Sequence, residues 1–162
     1  METPVTTLSQ RAAITALIND YVFCIDDGRY EDWPTLFVDA CRYRIATRES
    51  EDRGLPIGIL YCSSKGMLLD RVSALRKANI FEPHRYRHLL GPTRFLGTDD
   101  DGAHRAVTGF AVIRIMQNGT TDLFLSGQYE DRMEVEGETA RFKERAVVLD
   151  SKKIDTLIVL PV

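Results

Sequence analysis

Apolar residues in the first part of the chain recur at steps of three and four, which is the period of an amphipathic helix. We predict that this helix has Ser9 as its N-cap and ends at Gly28, which can adopt the left-handed conformation of a helix end. A second, short helix is predicted over 30–37, because Pro34 is tolerated within a first turn. The apolar stripe of the first helix contains Ile14, Leu17, Ile18, Tyr21, Val22 and Ile25.

A third helix is predicted after Ser63 or Ser64, either of which can cap it. Pro83 limits how far this helix extends, because proline breaks the helical hydrogen-bond pattern. From His84 onward the period changes to two, which indicates strands. The predicted strands cover 41–47, 84–96, 103–117, 120–135 and 139–149.

The order of these elements, with helices first and strands later, indicates an α+β fold. We expect N-terminal helices packed on one strongly curved antiparallel sheet, in a single domain over 1–162. One strand bends at Gly91-Pro92, since proline cannot donate to a neighbouring strand, and Asn118-Gly119 predicts a type I′ hairpin turn. One face of the strand over 120–135 is predicted to contain Leu123, Leu125, Tyr129, Met133 and Val135.

Composition narrows the function classes. The chain has 162 residues, of which 44% are hydrophobic and 28% charged, as in a folded globular protein, and its net charge of −3 argues against a nucleic-acid binder. It contains no apolar run of about 18 residues, so we predict no membrane span, and its first residues lack the pattern of a secretion signal. Three cysteines without a C-x-x-C pair suit the reducing cytoplasm, where we expect this protein.

Two histidines and an aspartate are the first candidates for chemistry. His84 and His88 lie four apart on a predicted strand, which separates them by about 13 Å, so we do not expect one metal ion to bind both. Asp26 can point into a cone formed by the helices and the sheet, where with His88 it would form the acid–base site of an isomerase or dehydratase. Alternatively, Asp26 only belongs to the turn that ends the helix. A free-standing enzyme or small-ligand binder using Asp26 and His88 is therefore one function hypothesis.

The segment 156–162 contains five aliphatic side chains and no charged side chain. Burying each of them is worth roughly 1.5–3 kcal/mol, so the segment either completes the chain's own core or is covered by another chain. Arg85, Tyr86 and Arg87 favour contact with a partner, because arginine and tyrosine are enriched at the centres of interfaces. An interaction protein is therefore the second hypothesis.

Segments in order along nearly the whole chain are similar to one known family: Glu31-Asp32-Trp33-Pro34 with Phe37, and residues 41–45, 69–79, 85–91, 126–131 and 150–161. They resemble the small (β) subunits of Rieske-type aromatic-ring-hydroxylating dioxygenases. The resemblance is closest to the branch that acts on aromatic carboxylates such as benzoate, anthranilate, salicylate or terephthalate.

This resemblance implies an NTF2-like (cystatin-like) cone and an α3β3 hexamer in which the small subunits form a trimer. It also implies that the Rieske 2Fe–2S cluster and the mononuclear Fe(II) lie on the large (α) subunit, which receives electrons from NADH through a reductase. The sequence agrees with this placement of the iron centres. Rieske ligation needs paired Cys and His motifs, and no cysteine here has a histidine within two residues. We expect a non-catalytic structural subunit, without catalytic, cofactor-binding or metal residues, whose candidate interface residues are Trp33, Arg85, Tyr86, Arg87, Leu157 and Leu160.

Overall fold

The computed structural model describes residues 5–55, 58–78, 82–152, 158 and 160–162. The helical segments of this part of the chain are α1 (Leu8–Asp26), a 3₁₀ helix (Trp33–Leu36), α2 (Arg48–Asp52) and α3 (Lys65–Ala78). The strands are β1 (Phe37–Thr47), β2 (Leu60–Cys62), β3 (His84–Thr98), β4 (His104–Met116), β5 (Thr121–Glu136) and β6 (Thr139–Leu149). The predicted α+β organisation is therefore confirmed, and α2 is an element that the periodicity did not predict.

The strands form one sheet in the order β2-β1-β6-β5-β4-β3. Neighbouring strands are antiparallel except for β1 and β6, which are parallel, so the prediction of a wholly antiparallel sheet is wrong for this pair. The long connection between β1 and β6 contains the whole β3–β5 meander, and a long connection allows either strand direction.

Helix α1 begins at Leu8, one residue before the predicted cap, Ser9. Its N-cap is Thr7, whose hydroxyl accepts a hydrogen bond from the main-chain N–H of Gln10, while the Gln10 side chain accepts one from the N–H of Thr7. This reciprocal capping box satisfies two main-chain donors and replaces the predicted Ser9 cap. The helix ends as predicted, because Gly28 has a φ of 72°. In α3 the predicted Ser64 cap is confirmed, since its hydroxyl accepts a hydrogen bond from the N–H of Met67.

Irregularities in the strands decide which side chains face the core. The register of β3 shifts between Leu90 and Thr93, which confirms the bend predicted at Gly91-Pro92. A shift between β4 and β5 inserts Phe124 as an extra residue, and this moves Leu123 to the solvent side, where it is 68% exposed. The prediction that Leu123 shares the buried face of Tyr129 is therefore wrong.

The hairpin between β4 and β5 closes on Met116 and Thr120, with the three residues 117–119 between them. The N–H of Gly119 donates to the carbonyl oxygen of Met116, and the N–H of Met116 donates to the carbonyl oxygen of Thr120. Gly119, with a φ of 89°, closes this loop. The turn dipeptide was placed correctly, but the two-residue type I′ geometry was wrong.

The core lies between the helices and one face of the sheet. Helix α1 packs against β3, β5 and β6, and α3 packs against β1 and β2. Ile158, Leu160 and Val162 belong to the same core cluster, so these residues complete the chain's own core. Within the described ranges no helix is long and apolar enough to cross a membrane.

Candidate functional site

Asp26 and His88, predicted to meet inside the cone, are in direct contact. Asp26 is the last residue of α1, and His88 lies in the sheet strand β3. Oδ1 of Asp26 lies 2.6 Å from Nδ1 of His88, and Oδ2 accepts a hydrogen bond of 2.9 Å from the main-chain N–H of His88. Because a carboxylate only accepts, Nδ1 carries the hydrogen of the first bond.

The pair is closed off from solvent. The side chain of Asp26 is 3% exposed and that of His88 is 0% exposed. Nε2 of His88 has no hydrogen-bond partner among the described residues, while Arg87 reaches to 4.0 Å from Asp26 at the surface. The two side chains could exchange a proton, but a substrate would reach them only if the core opened. Their direct effect is to join the end of α1 to β3.

The predicted interface residues divide into two groups. Trp33, Tyr86 and Leu160 are 0%, 3% and 3% exposed, so their side chains are buried in the core of this chain. Their assignment to an interface was based on residue type and on segments similar to the family, and neither separates a core side chain from an interface side chain. Arg85 and Arg87 are exposed, and Leu157 lies outside the described residues.

Arg85 and Arg87 belong to a larger exposed surface on the outer face of the sheet. Arg87 pairs in register with Ile113 of β4, and Ile113 pairs with Leu123 of β5, so these side chains share one face. Leu89 is 53% exposed and Leu123 is 68% exposed. We call this surface, made of Arg85, Arg87, Leu89, Ile113 and Leu123, the outer patch.

A buried ion pair that the sequence reasoning missed lies deeper in the core. Nε and Nη2 of Arg145 donate to the two carboxylate oxygens of Asp131 at 2.8 and 2.7 Å, and both side chains are 0% exposed. Burial opposes the charge of Arg145, but the Asp131 carboxylate outweighs it and holds the pKa of Arg145 above its ordinary value. The guanidinium carbon of Arg145 lies 3.9–4.1 Å from the ring centroids of Tyr21, Tyr129 and Phe142.

The cysteines are buried free thiols. Burial raises the pKa of Cys24 to about 12, and it also raises the pKa values of Cys41 and Cys62. In the part of the chain that the structure describes, no group of three or more His, Cys, Asp or Glu side chains is placed to hold a metal ion.

Comparison with known proteins shows the family to which this chain belongs. A family model described as the ring hydroxylating beta subunit matches residues 22–156. This chain belongs to that family. It is 43% identical over 148 residues to subunit beta 2 of the terminal oxygenase component of terephthalate 1,2-dioxygenase from Comamonas sp., which covers 91% of this chain and 96% of the relative.

Two further similarities agree with this membership. The small subunit of anthranilate 1,2-dioxygenase from Burkholderia cepacia is 34% identical over 149 residues, 92% of each chain. A solved beta subunit from Novosphingobium aromaticivorans, assigned to an aromatic-ring-hydroxylating dioxygenase, is 40% identical with a TM-score of 0.85, and the match covers 96% of this chain and 100% of that one. The fold is NTF2-like, as the family resemblance implied.

Proposed function

We propose that this beta-subunit family member is the non-catalytic small subunit of a dioxygenase that adds O₂ to an aromatic carboxylate, as in benzoate 1,2-dioxygenase. The observation that supports this most strongly is the 43% identity to the terephthalate 1,2-dioxygenase subunit over 91% of the chain. The anthranilate 1,2-dioxygenase relative, at 34% identity, is also named for an aromatic carboxylate. The class of substrate therefore rests on two independent relatives.

In this proposal the large subunit carries the Rieske 2Fe–2S cluster and the mononuclear Fe(II), and a cytoplasmic reductase supplies electrons from NADH. The small subunit contributes a rigid body on which large subunits assemble. Its enclosed polar groups support this role. Asp26 pairs with His88, and Asp131 pairs with Arg145, so these side chains do not face solvent. Assembly then raises the free energy of unfolding of each subunit, and tighter binding between subunits raises it further.

We further propose an α3β3 hexamer in which the outer patch contacts the large subunit. Exposed leucines beside arginines give the patch an apolar centre with a positive edge, which is typical of interface cores and suits an acidic rim on the partner. Arg85 and Arg87 remain in this interface, whereas Trp33, Tyr86 and Leu160 support it only from inside the core.

The activity test compares three preparations: this chain alone, the large subunit alone, and both after co-expression. Oxygen uptake with NADH, the reductase and terephthalate is measured for each. The proposal predicts turnover with the co-expressed pair and none with this chain alone. Conversion of an aromatic acid by this chain without a large subunit would contradict it.

The surface test uses two substitutions in the outer patch, Arg85→Glu and Leu123→Asp. Both side chains are exposed, so the isolated variants should unfold at the same urea concentration as the wild type. We expect each variant to reduce co-purification with the large subunit by at least tenfold, because a like or unpaired charge at an interface centre is costly. Arg141→Glu, an exposed site at the start of β6, is the matched control and should not change co-purification.

A free-standing isomerase or dehydratase is the second candidate, and the 2.6 Å contact between Asp26 and His88 is the observation that favours it. In that case Asp26→Asn and His88→Ala would abolish turnover by the isolated chain without weakening its assembly. The subunit proposal predicts the opposite result, with no turnover in the isolated wild type and a loss of stability in both variants.

A further inference from the structure

The hairpin loop between β4 and β5 presents an asparagine followed by a glycine to solvent. Asn118 and Gly119 are both exposed, and Gly119 has a φ of 89°. The sequence contains three asparagines, and only Asn118 precedes a glycine. Because glycine has no Cβ, its main-chain nitrogen can approach the side chain of the preceding residue without steric hindrance. This dipeptide therefore brings a side-chain amide and a main-chain nitrogen into reach of each other.

The side-chain amide of Asn118 is held by the main chain two residues further on. The N–H of Thr120 donates a hydrogen bond of 2.9 Å to Oδ1 of Asn118. Negative charge develops on this oxygen when a nucleophile attacks the amide carbon Cγ, and a donor already aimed at the oxygen stabilises that charge. The nitrogen of Gly119 is the nucleophile placed for this attack, because its bond to Cγ closes a five-membered ring.

One hydrogen bond opposes the attack. The N–H of Gly119 donates to the carbonyl oxygen of Met116 at 2.9 Å, so the nitrogen reacts only after this bond opens. The bond lies in an exposed hairpin loop, where local opening costs little free energy. Since a single hydrogen bond contributes only a small net stabilisation, the folded loop should slow the reaction by roughly tenfold or less relative to an unstructured peptide.

Asp101, in the turn between β3 and β4, also precedes a glycine but differs in its chemistry. Its Oδ1 accepts a hydrogen bond of 3.1 Å from the N–H of Ala103, as Oδ1 of Asn118 does from Thr120. Lys143, the N–H of Ala103 and Arg132 hold the pKa of Asp101 well below its usual range, so this side chain stays ionised. A carboxylate is a poor electrophile, whereas the neutral amide of Asn118 can release ammonia.

We propose that Asn118 is a site of self-modification, at which the chain converts its own amide into a carboxylate. The main-chain nitrogen of Gly119 loses its proton to hydroxide and bonds to Cγ of Asn118, the bond from Cγ to Nδ2 breaks, and ammonia leaves. Water then opens the cyclic imide at one of its two carbonyl carbons. Opening at Cγ gives aspartate, and opening at the main-chain carbon gives isoaspartate. No atom is oxidised or reduced, and water is the only co-reactant.

The products change the end of the sheet that carries the outer patch. Arg85 of the patch pairs in register with Ile115, and Ile115 pairs with Thr121, so the loop continues directly from these strands. Aspartate adds a negative charge to this loop. Isoaspartate adds the same charge and also one more carbon atom to the main chain of the loop. The modified chain is therefore a second chemical form of the protein, with a less positive edge beside the outer patch.

The test incubates the full chain at mildly alkaline pH and follows the tryptic peptide over 115–132 by mass spectrometry. Isoaspartate is detected separately with an isoaspartyl methyltransferase, and a synthetic peptide of the same residues is the reference. We expect the folded chain to convert Asn118 at a rate within about tenfold of that of the peptide. Asn118→Gln should lower the conversion at this position by about tenfold or more, because the longer side chain has to close a larger ring.

The same digest contains two internal controls. Asn19 lies within α1, where the helix holds the main-chain N–H of the next residue, and Asp101 is the ionised counterpart in the other turn. Both should remain unmodified over the time in which Asn118 is converted. The proposal is overturned if Asn118 is still an amide in the folded chain after the synthetic peptide has been fully converted. It is also overturned if Asn19 is converted as fast as Asn118, because the loop would then have no special role.

Discussion

Asp26 accepts hydrogen bonds from both the main chain and the imidazole of His88, 62 residues away in sequence. A single carboxylate thereby fixes the end of α1 against the strand β3 at the edge of the sheet. Both groups are buried, so the contact is strong evidence for a tie between two elements and weak evidence for catalysis by the isolated chain.

The first prediction concerns this tie. Asp26→Ala should lower the free energy of unfolding by about 2–4 kcal/mol, because it leaves two buried donors of His88 without an acceptor. Asp26→Asn should cost less, since the amide keeps one acceptor oxygen. Asp27→Ala is the matched control, with a side chain that is 51% exposed, and should change the free energy by less than about 0.5 kcal/mol in urea unfolding. Equal effects at positions 26 and 27 would show that Asp26 does not hold the helix.

Removing one partner of the Asp131–Arg145 ion pair should lower the free energy of unfolding strongly. Replacing both partners with apolar side chains should lower it much less. Arg145→Met leaves a buried carboxylate unpaired and should lower the free energy of unfolding by about 3–5 kcal/mol. The double variant Asp131→Leu with Arg145→Met should recover most of this loss, because it removes both charges. A double-mutant cycle from chemical unfolding measures the coupling, with the exposed Arg141→Ala as control. Additive single effects would contradict the direct pairing.

Gly127 should not tolerate a side chain. A Cβ at this position would lie 2.1 Å from the carbonyl oxygen of Val148, which is main chain and cannot move aside cheaply. Gly127→Ala should therefore destabilise the protein by about 2 kcal/mol or more. Gly109 lies on the neighbouring strand beside Gln128, and its Cβ would meet nothing within 4 Å. Thermal unfolding of Gly109→Ala should match the wild type closely, and a similar loss in both variants would disprove this close approach.

Stability should fall at alkaline pH. Burial raises the pKa of Cys24 from 9.0 to about 12 and that of Tyr43 from 10.0 to about 12. Because these groups ionise more easily in the unfolded chain, their contribution is complete below about pH 9 and is lost as the pH rises towards 12. The urea midpoint of the wild type should decline between pH 8 and 11. The urea midpoint of the Cys24→Ala variant should decline less steeply between pH 9 and 10. An identical slope in both proteins would contradict the buried state of the thiol.

Elements with a clear local sequence pattern could be predicted from the sequence, whereas features decided by distant strands could not. The pattern over 139–149, bounded by the turn signals Glu136-Gly137 and Asp150-Ser151, predicted β6 at its observed bounds, although the last five residues of the strand are all buried and do not alternate. The parallel pairing of β1 with β6 had no local signal, since it is decided by how a distant connection crosses the sheet. The exposure of Leu123 could not be predicted either, because it follows from a bulge set by the partner strand.

Only part of the candidate site could be predicted from the sequence. Asp26 and His88 could be proposed together because a cone brings the end of α1 to the strands. Asp131 and Arg145 were missed, although Asp131 shares its strand face with the core residues Tyr129 and Met133. The alternation of side chains along β5 could have indicated that Asp131 is buried. However, a charged residue in a strand normally faces solvent, so this indication was not used. The register that pairs Asp131 with Arg145 is a property of the folded sheet.

The most direct test of the central claim is the native mass, with iron content, of the complex obtained by co-expressing this chain with its large subunit. The account predicts one species with three copies of each chain, in which all iron stays with the large subunit when the two chains are separated. It would be contradicted if this chain remained apart from the large subunit, or if the separated small subunit retained stoichiometric iron.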